Sequence, residues 1–340
     1  MNNINFKILV IFIYLTTYIN PVFSNAESFQ SRNQKQIKEI TAILINEHKV
    51  DENYVKNIFK SIKMNKKVLK LMSGAAERTK TWEQYQKIFI TDSRVNEGIK
   101  YYKKNYKLLK KIELQYGVPA EVIVAFLGVE TKYGKRTGKI KILDSLATLA
   151  LEHPRRSKFF TKELIHFIIL TYEEDLDYKN LYGSYAGAMG APQFMPSSYR
   201  KLSVDFNKDG KRDLWNNKYD IYASIANYLV ANGWKKNGTI FSDIIVKKEF
   251  EEILLKRGDS KTISAENFLK SINLQKNQLD KILVNYNQTK EKKKYLILLS
   301  SKNKKYKLGY TNFKVIMRYN PSTYYAMCVS QLSKRISEGL

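Results

Sequence analysis

A single cysteine, Cys328, occurs in 340 residues, so no disulfide can form within the chain. It lies in an apolar stretch and is expected to pack as a small hydrophobe. Acidic residues are scarce beside basic ones: 32 Asp and Glu against 59 Lys and Arg leave a formal net charge of +27. Such an imbalance favours polyanions, whether nucleic acid, an acidic membrane surface or an acidic wall polymer. A general preference for Ile, Asn and Lys explains the same number without any binding face, so charge alone does not choose. No recognisable nucleic-acid motif accompanies it, and no internal repeat is evident. Charged and hydrophobic fractions of 27% and 44% exclude a disordered chain. The length allows two or three domains, each with a core.

The N-terminus chooses a compartment. Lys7 precedes a largely apolar run from Ile8 to Ile19, too short to span a bilayer comfortably. Pro21-Val22-Phe23-Ser24-Asn25-Ala26 then offers small residues for cleavage after Ser24 or Ala26. Residues 1–24 are therefore expected to be a secretory signal peptide, with an uncleaved anchor as the lesser alternative. With no cysteine beside the cleavage site, a lipoprotein anchor is not expected. Export also argues against nucleic acid as the partner.

From Gln34 to Gln115 the pattern is helical: Ile37-Ile40-Leu44, Ile58-Ile62 and Val68-Leu71-Met72 repeat at helical spacing. Trp82 and Tyr85 with Ile88-Phe89-Ile90 form an aromatic-apolar knot, after which Asp92 or Ser93 is placed to cap the next helix. Beyond about residue 240 the texture changes. Ile244-Ile245-Val246, Phe250 to Leu255 and Tyr295 to Leu299 read as short strands, interrupted by a helix or two within Ser264 to Leu283.

Glu130 stands out in the central region. Pro119 suits a first helical position, and Val122-Ile123-Val124-Ala125-Phe126-Leu127 is apolar all round, as in a helix enclosed by protein. Glu130 appears where that run stops, with Phe126, Leu127, Tyr133 and Gly134 as helical neighbours and no cation among them. An apolar wall and the negative end of a helix dipole both disfavour its ionised form. A carboxylic acid kept protonated near neutrality is what glycosidic cleavage asks of its general acid. The competing reading is a surface Glu on a frayed turn paired with Lys132 or Lys135.

Further on, Asp205, Asn207 and Asp209 fall at positions one, three and five of an EF-hand-like loop, with Gly210 at six and the Lys211 carbonyl at seven. Position twelve is Asn216 rather than Glu, and Asp220 is close enough to supply the missing carboxylate. Calcium in a structural role is the expected cation; a plain polar turn is the alternative. Between these motifs, Tyr182 to Tyr199 is rich in small residues, which allow close backbone or ligand approach. There Gln193 places an amide among apolar neighbours, where it needs partners; a packed helix–loop junction explains it equally well.

Taken in order, Glu-Thr-x-x-Gly at 130–134, Ile142 to Leu149, Pro154-Arg155-Arg156, the 182–199 segment, Asp205 to Trp215, Ala226-Asn227-Tyr228 and Arg318 to Met327 resemble the lytic murein transglycosylase B family. The resemblance runs from about Trp82 to the C-terminus and is weakest from Ile244 to Leu308. It implies an α+β, mainly α fold: a lysozyme-like helical core with an EF-hand-like loop, a helical domain and a small β domain. The expected divisions are 25–115 helical, 116–240 catalytic core, 241–310 β-rich, and 311–340 returning to line the substrate groove.

The resemblance further implies cleavage of the β-1,4 bond between N-acetylmuramic acid and N-acetylglucosamine in peptidoglycan, without added water. Glu130 would act as acid and then base. Substrate contacts would fall to Ser184, Gln193, Tyr228, Tyr319, Asn320, Tyr325, Tyr85, Arg155 and Arg156, and calcium ligands to Asp205, Asn207, Asp209, the Lys211 carbonyl and Asp220. Expected partners are glycan strands, stem peptides and other cell-wall enzymes, in the periplasm, with a monomer as the default. Two departures from the family pattern are Gly190-Ala191-Pro192 and an extra residue between Trp215 and Asp220. A hydrolase on the same core, needing a second carboxylate, and a non-catalytic peptidoglycan binder are the alternatives.

Overall fold

The computed structural model describes residues 33–73, 80–256, 262–275, 278–284, 291–300 and 305–340; the expected signal peptide lies outside them. Helices follow one another through short joints: α1 (Gln34–Ala42), continued by a π-helical turn at Ile43–Glu47, α2 (Glu52–Ser61), α3 (Lys66–Ser73), α4 (Trp82–Phe89), α5 (Asp92–Lys104), α6 (Tyr106–Tyr116) and α7 (Ala120–Thr131). Local chemistry sets several of their boundaries. Asp51 caps α2 by accepting from the Tyr54 N–H at 2.8 Å. Thr81 and Gln84 close a reciprocal capping box at the start of α4. Thr91, rather than Asp92 or Ser93, caps α5: its hydroxyl accepts from the Arg94 N–H, and Asp92 is already helical.

Pro119 sits one residue earlier than its sequence position suggested, as the extended N-cap of α7 with ψ of 136°. The enclosed character of α7 is as read: Ala120 and every residue from Val122 to Val129 are buried. Its periphery is supplied largely by the far end of the chain. β1 (Ile140–Lys141), α8 (Ile142–Glu152), α9 (Ser157–Glu173), β2 (Tyr182–Gly183), α10 (Pro196–Leu202) and α11 (Lys218–Ala231) complete the central region. β1 and β2 form a small antiparallel ladder, Lys141 opposite Tyr182 and Ile140 opposite Gly183.

The last third contains β3 (Phe241–Asp243), β4 (Ile245–Val246), α12 (Lys248–Leu255), β5 (Thr262–Ser264), α13 (Ala265–Lys270), β6 (Leu283–Val284), β7 (Tyr295–Ser300) and β8 (Lys305–Gly309). An antiparallel sheet runs in the order β3-β8-β7-β5, and β4 pairs with β6. The expected strand at Phe250–Leu255 is instead α12. Phe250, Ile253 and Leu254 fall at i, i+3 and i+4, and the intervening glutamates are helix formers rather than strand formers. Two helices then return to the centre, α14 (Thr311–Tyr319) and α15 (Thr323–Glu338), the latter packing along α7, α5 and α4.

Three apolar clusters hold these elements. One joins α4–α7 to α11, α14 and α15 around Phe126, Tyr222, Phe313 and Met327. A second joins α1–α3 to α8 and α9 around Leu44, Ile58, Leu146 and Phe167. The third, around Phe268, Ile282 and Leu308, belongs to the β-rich segment. Cys328 packs within the first, and burial pushes its thiol pKa up. Glu130 lies at the mouth of that first cluster.

Candidate active site

α7 ends in an unusual way. Lys132, Tyr133 and Gly134 all have positive φ, 52°, 61° and 83°, and the first two carry side chains that strain this conformation. The turn is held from several sides. The Tyr133 N–H donates to the Leu127 carbonyl at 2.9 Å, and the Tyr133 hydroxyl donates to the Arg94 carbonyl at 2.7 Å. Arg94 in turn donates its guanidinium to the Gly128 carbonyl at 2.8 Å, at the end of the helix where carbonyls lack intrahelical partners. These contacts fix the helix end on which Glu130 stands.

Glu130 is half-buried and receives a hydrogen bond from the Tyr325 hydroxyl at 2.5 Å, from a residue 195 positions away. Tyr325 is held in place by Ser322, whose Oγ accepts from its backbone N–H at the start of α15. Around this pair stands an aromatic wall. Tyr319 stacks parallel to Tyr325 at 6.4 Å, lies 4.9 Å from Phe126, and meets Tyr228 edge-on at 4.7 Å. Phe194 contacts both Tyr228 and Tyr319. Lys135, the alternative partner for Glu130, is ion-paired with Glu97.

Burial, first, and then the Glu130 charge push the phenols of Tyr319 and Tyr325 well above the usual tyrosine range. Both therefore remain protonated donors at working pH. The sign follows from linkage: a raised folded pKa preserves stability below the unfolded value near pH 10, and that stability is lost as pH rises through the folded value. Tyr133, Tyr199 and Tyr222 are raised by burial too. Absorbance at 295 nm during alkaline titration should thus show these phenols ionising only as the chain unfolds. Complete titration near pH 10 with native circular dichroism retained would contradict this.

The loop carrying Gln193 is fastened to the same helix. Thr131, next to Glu130, donates its hydroxyl to the Ala191 carbonyl at 2.9 Å and accepts from the Gly134 N–H at 3.0 Å. Tyr319 donates to the Pro192 carbonyl, so the proline that departs from the family pattern sits at a docking point. Gly190 has φ of 67°, and a Cβ there would meet the Leu214 carbonyl oxygen at 2.4 Å, so no other residue fits without a shift. Gln193, at φ of 56°, donates its amide to the Thr137 and Gly190 carbonyls at 3.0 and 2.9 Å, which leaves the side-chain oxygen as an acceptor. Ser184 Oγ accepts from the Ala186 and Ala188 N–H groups at 3.2 and 3.0 Å, leaving its own proton to donate.

Thr131→Val tests this fastening. It keeps the shape but leaves a buried carbonyl unpaired, so a loss of about 1–3 kcal/mol is expected in urea unfolding, with slower glycan cleavage. Unchanged stability and rate would show that the fastening is unimportant.

The structure thus brings Glu130, Tyr325, Tyr319 and Tyr228 together, with Gln193 and Ser184 on the adjoining loop. Tyr85 is buried against Tyr324 and Phe89 and acts electrostatically on Tyr325. Asn320 follows α14 as its extended C-cap, its carbonyl accepting from the Ser322 N–H at 2.7 Å. Arg155 and Arg156 open α9 and line a cleft of about 670 Å³ with Leu69, Lys70 and Met72 of α3, and Arg156 lies over the rings of Phe159 and Phe160. Nothing in the sequence marks Arg94, Thr131 or Tyr133 as supports of this helix end; only Gly134 after Glu-Thr points to a left-handed turn.

The EF-hand-like segment is a closed loop. Asp205 accepts from the Asp209 and Gly210 N–H groups at 3.2 and 2.9 Å, and Asp209 accepts from Asn207 Nδ2 and the Lys211 N–H at 2.7 and 2.9 Å. Gly210 has φ of 85° at the sharp turn. Asp220, fully buried on α11, takes the Phe206 and Asp213 N–H groups, both at 2.9 Å, and so ties the two ends of the loop. Burial first, then the charges of Asp205 and Asp209, push its carboxyl pKa up against those two donors. Among the described residues no three His, Cys, Asp or Glu side chains converge as a metal cage. The oxygen donors and mutually opposed carboxylates nevertheless fit a hard cation such as calcium.

A family model, the transglycosylase SLT domain, matches residues 32–334. The chain belongs to this family. Its similarity extends to membrane-bound lytic murein transglycosylase B of Escherichia coli (strain K12), 36% identical over 314 residues, covering 90% of this chain and 83% of the relative. Among solved structures, the Escherichia coli lytic transglycosylase Slt35 in complex with calcium matches with a TM-score of 0.75 at 33% identity, covering 89% of this chain and 93% of that one. SltB3 from Pseudomonas aeruginosa in complex with NAG-anhNAM-pentapeptide matches with a TM-score of 0.73 at 26% identity, covering 92% and 80%. The fold shared with this family is the α+β, mainly α architecture described above.

Proposed function

We propose that this chain is a peptidoglycan lytic transglycosylase in which Glu130 is the catalytic acid and base. The observation that carries the residue assignment is the Glu130–Tyr325 hydrogen bond inside the aromatic wall of Tyr319, Phe126 and Tyr228. Protonated Glu130 donates to the oxygen leaving C1 of N-acetylmuramic acid. The substrate's own N-acetyl oxygen stabilises the positive charge developing at C1. Glu130, now ionised, removes the proton from the muramic C6 hydroxyl, which attacks C1 and closes a 1,6-anhydro ring. Acid and base are thereby restored in one residue, and no water is consumed.

Tyr325, held neutral by its surroundings, can donate to the ionised carboxylate and accept from the protonated one, so it serves both halves of the cycle. Gln193 and Ser184 offer one acceptor and one donor to the acetamido group. The faces of Tyr319 and Tyr228 suit pyranose rings. The Glu130 charge acts on both the Tyr319 and Tyr325 phenols, and Glu130 is the one carboxylate this scheme requires. Arg155 and Arg156 are assigned to carboxylates of stem peptides; Asn320 and Tyr85 complete the assigned contacts.

Calcium in the Asp205–Asp213 loop, held by Asp205, Asn207, Asp209, the Lys211 carbonyl and Asp220, is part of the same reading, supported by the calcium complex of Slt35. The ion would be structural. Export to the periplasm and division into segments 25–115, 116–240, 241–310 and 311–340 are also proposed; the separate apolar cluster of the β-rich segment supports its boundary. Among the described residues no single helix is long and apolar enough to cross a membrane. Mass spectrometry of muropeptides released from purified sacculi tests the whole. Products lacking one water are expected, whereas hydrated reducing ends would mean a hydrolase.

A further inference from the structure

A cavity of about 700 Å³ opens between the C-terminal end of α9, β2 and the loop that follows α10. This size lies within the roughly 300–1,000 Å³ common for small-molecule sites. None of the residues assigned above to substrate lines it, yet two links join it to them. Tyr182, on its wall, stands two residues from Ser184, and Thr137, also on its wall, gives its carbonyl to the Gln193 amide at 3.0 Å. The cavity is therefore tied to the segment that carries Ser184 and Gln193.

Its wall chemistry narrows the occupant. Three of its acidic side chains are already engaged. Glu173 is held by Arg200 at 2.8 and 3.1 Å, and Glu174 by Arg212. Asp213 accepts from the Trp215 and Asn216 N–H groups at 2.8 and 3.0 Å. Asp175 and Lys211 also line the cavity, an acceptor and a donor for the hydroxyls of a sugar. Beside them the walls offer two aromatic surfaces and uncharged amides. Tyr182 is 41% exposed. Trp215, half-buried, is fixed by its indole N–H to the Tyr182 carbonyl at 3.3 Å and by ring contact with Tyr199. Asn180 and Asn216 add amide donors and acceptors. Flat apolar faces beside uncharged hydrogen-bonding groups match a pyranose ring, apolar on its faces and polar at its rim.

We infer that this cavity is a distal glycan subsite, taking an N-acetylhexosamine unit of the strand beyond those bound at Glu130. The inference rests on the transglycosylase reading. It makes longer strands bind more tightly than short ones, through Tyr182 and Trp215.

Peptide-free β-1,4-linked N-acetylglucosamine oligomers of two and six units provide the test, titrated onto the full chain. Trp215 is a native reporter, because Trp82 and Trp234 are buried at 1% and 8% exposure. The hexamer is expected to change the emission and to bind about tenfold more tightly than the dimer, the worth of one good aromatic contact. Tyr182→Ala, at an exposed position, should remove that advantage while leaving dimer affinity and thermal unfolding unchanged. Trp215→Phe should remove the signal but keep the length dependence. Equal affinity for both oligomers, or an advantage that survives Tyr182→Ala, overturns the subsite. Displacement of the fluorescence change by a free stem peptide overturns it as well. Sacculus digestion run in parallel separates the two levels: anhydro products without length dependence sink the subsite alone, and absence of anhydro products sinks the parent reading.

Discussion

Replacing Glu130 by Gln is expected to lower glycan cleavage by about 10⁴-fold, the upper end of what general acid–base catalysis contributes, because one residue performs both proton transfers. The amide is nearly isosteric, can still accept from Tyr325, and leaves the aromatic wall intact. Binding to sacculi and the unfolding temperature should therefore be unchanged. Muropeptides released by residues 25–340 and by the variant, compared by mass spectrometry, decide the matter. Anhydro products from the variant at more than a few per cent of the original rate would remove Glu130 from the role of acid. Equal loss of cleavage and binding would instead point to misfolding or to a binding protein.

Asp220→Ala should give the largest stability change. Asp220 is fully buried and satisfies two backbone N–H groups at opposite ends of the EF-hand-like loop. Each orphaned buried donor costs about 1–3 kcal/mol, so a loss of about 2–6 kcal/mol is expected in urea unfolding. Calcium enters independently: an ion bound at a hundredfold its dissociation constant stabilises by about 2.7 kcal/mol. Addition of calcium should raise the unfolding temperature of the parent chain, a chelator should reverse the rise, and Asp220→Ala should not respond. Asp209→Ala offers the complementary case. Its side chain is exposed, so it should abolish the calcium response with little loss of stability in the ion's absence. If calcium has no effect on the parent chain, the loop is a polar turn.

Much of the central region was legible because its signals are local. A run of apolar residues with no polar face, opened by a proline and long enough for three turns, reads as an enclosed helix, and α7 is one. Alternating oxygen side chains around Gly210 require a tight loop, and one forms. Where local signals were ambiguous, reading failed. Phe250–Leu255 carries apolar residues at spacings that serve either period in so short a stretch, and the glutamates between them decided for a helix. At α5 three consecutive residues, Thr91, Asp92 and Ser93, all make acceptable caps. The choice among them depends on where the preceding helix ends.

The enclosed helix, the acid at its end and the order of motifs that identifies the family are written in the chain itself, because periodicity, composition and spacing act over a few residues. What surrounds that acid is set by the folded arrangement alone. Tyr325 reaches Glu130 across 195 positions, Thr131 reaches Ala191 across 60, and Arg94 reaches Gly128 across 34. Such contacts leave no pattern in the chain, since a tyrosine or threonine that packs and one that donates to a distant acceptor read alike. The cleft that Arg155 and Arg156 share with α3 has the same cause. Which faces meet is set by how three apolar clusters close, and that closure is a property of the whole chain.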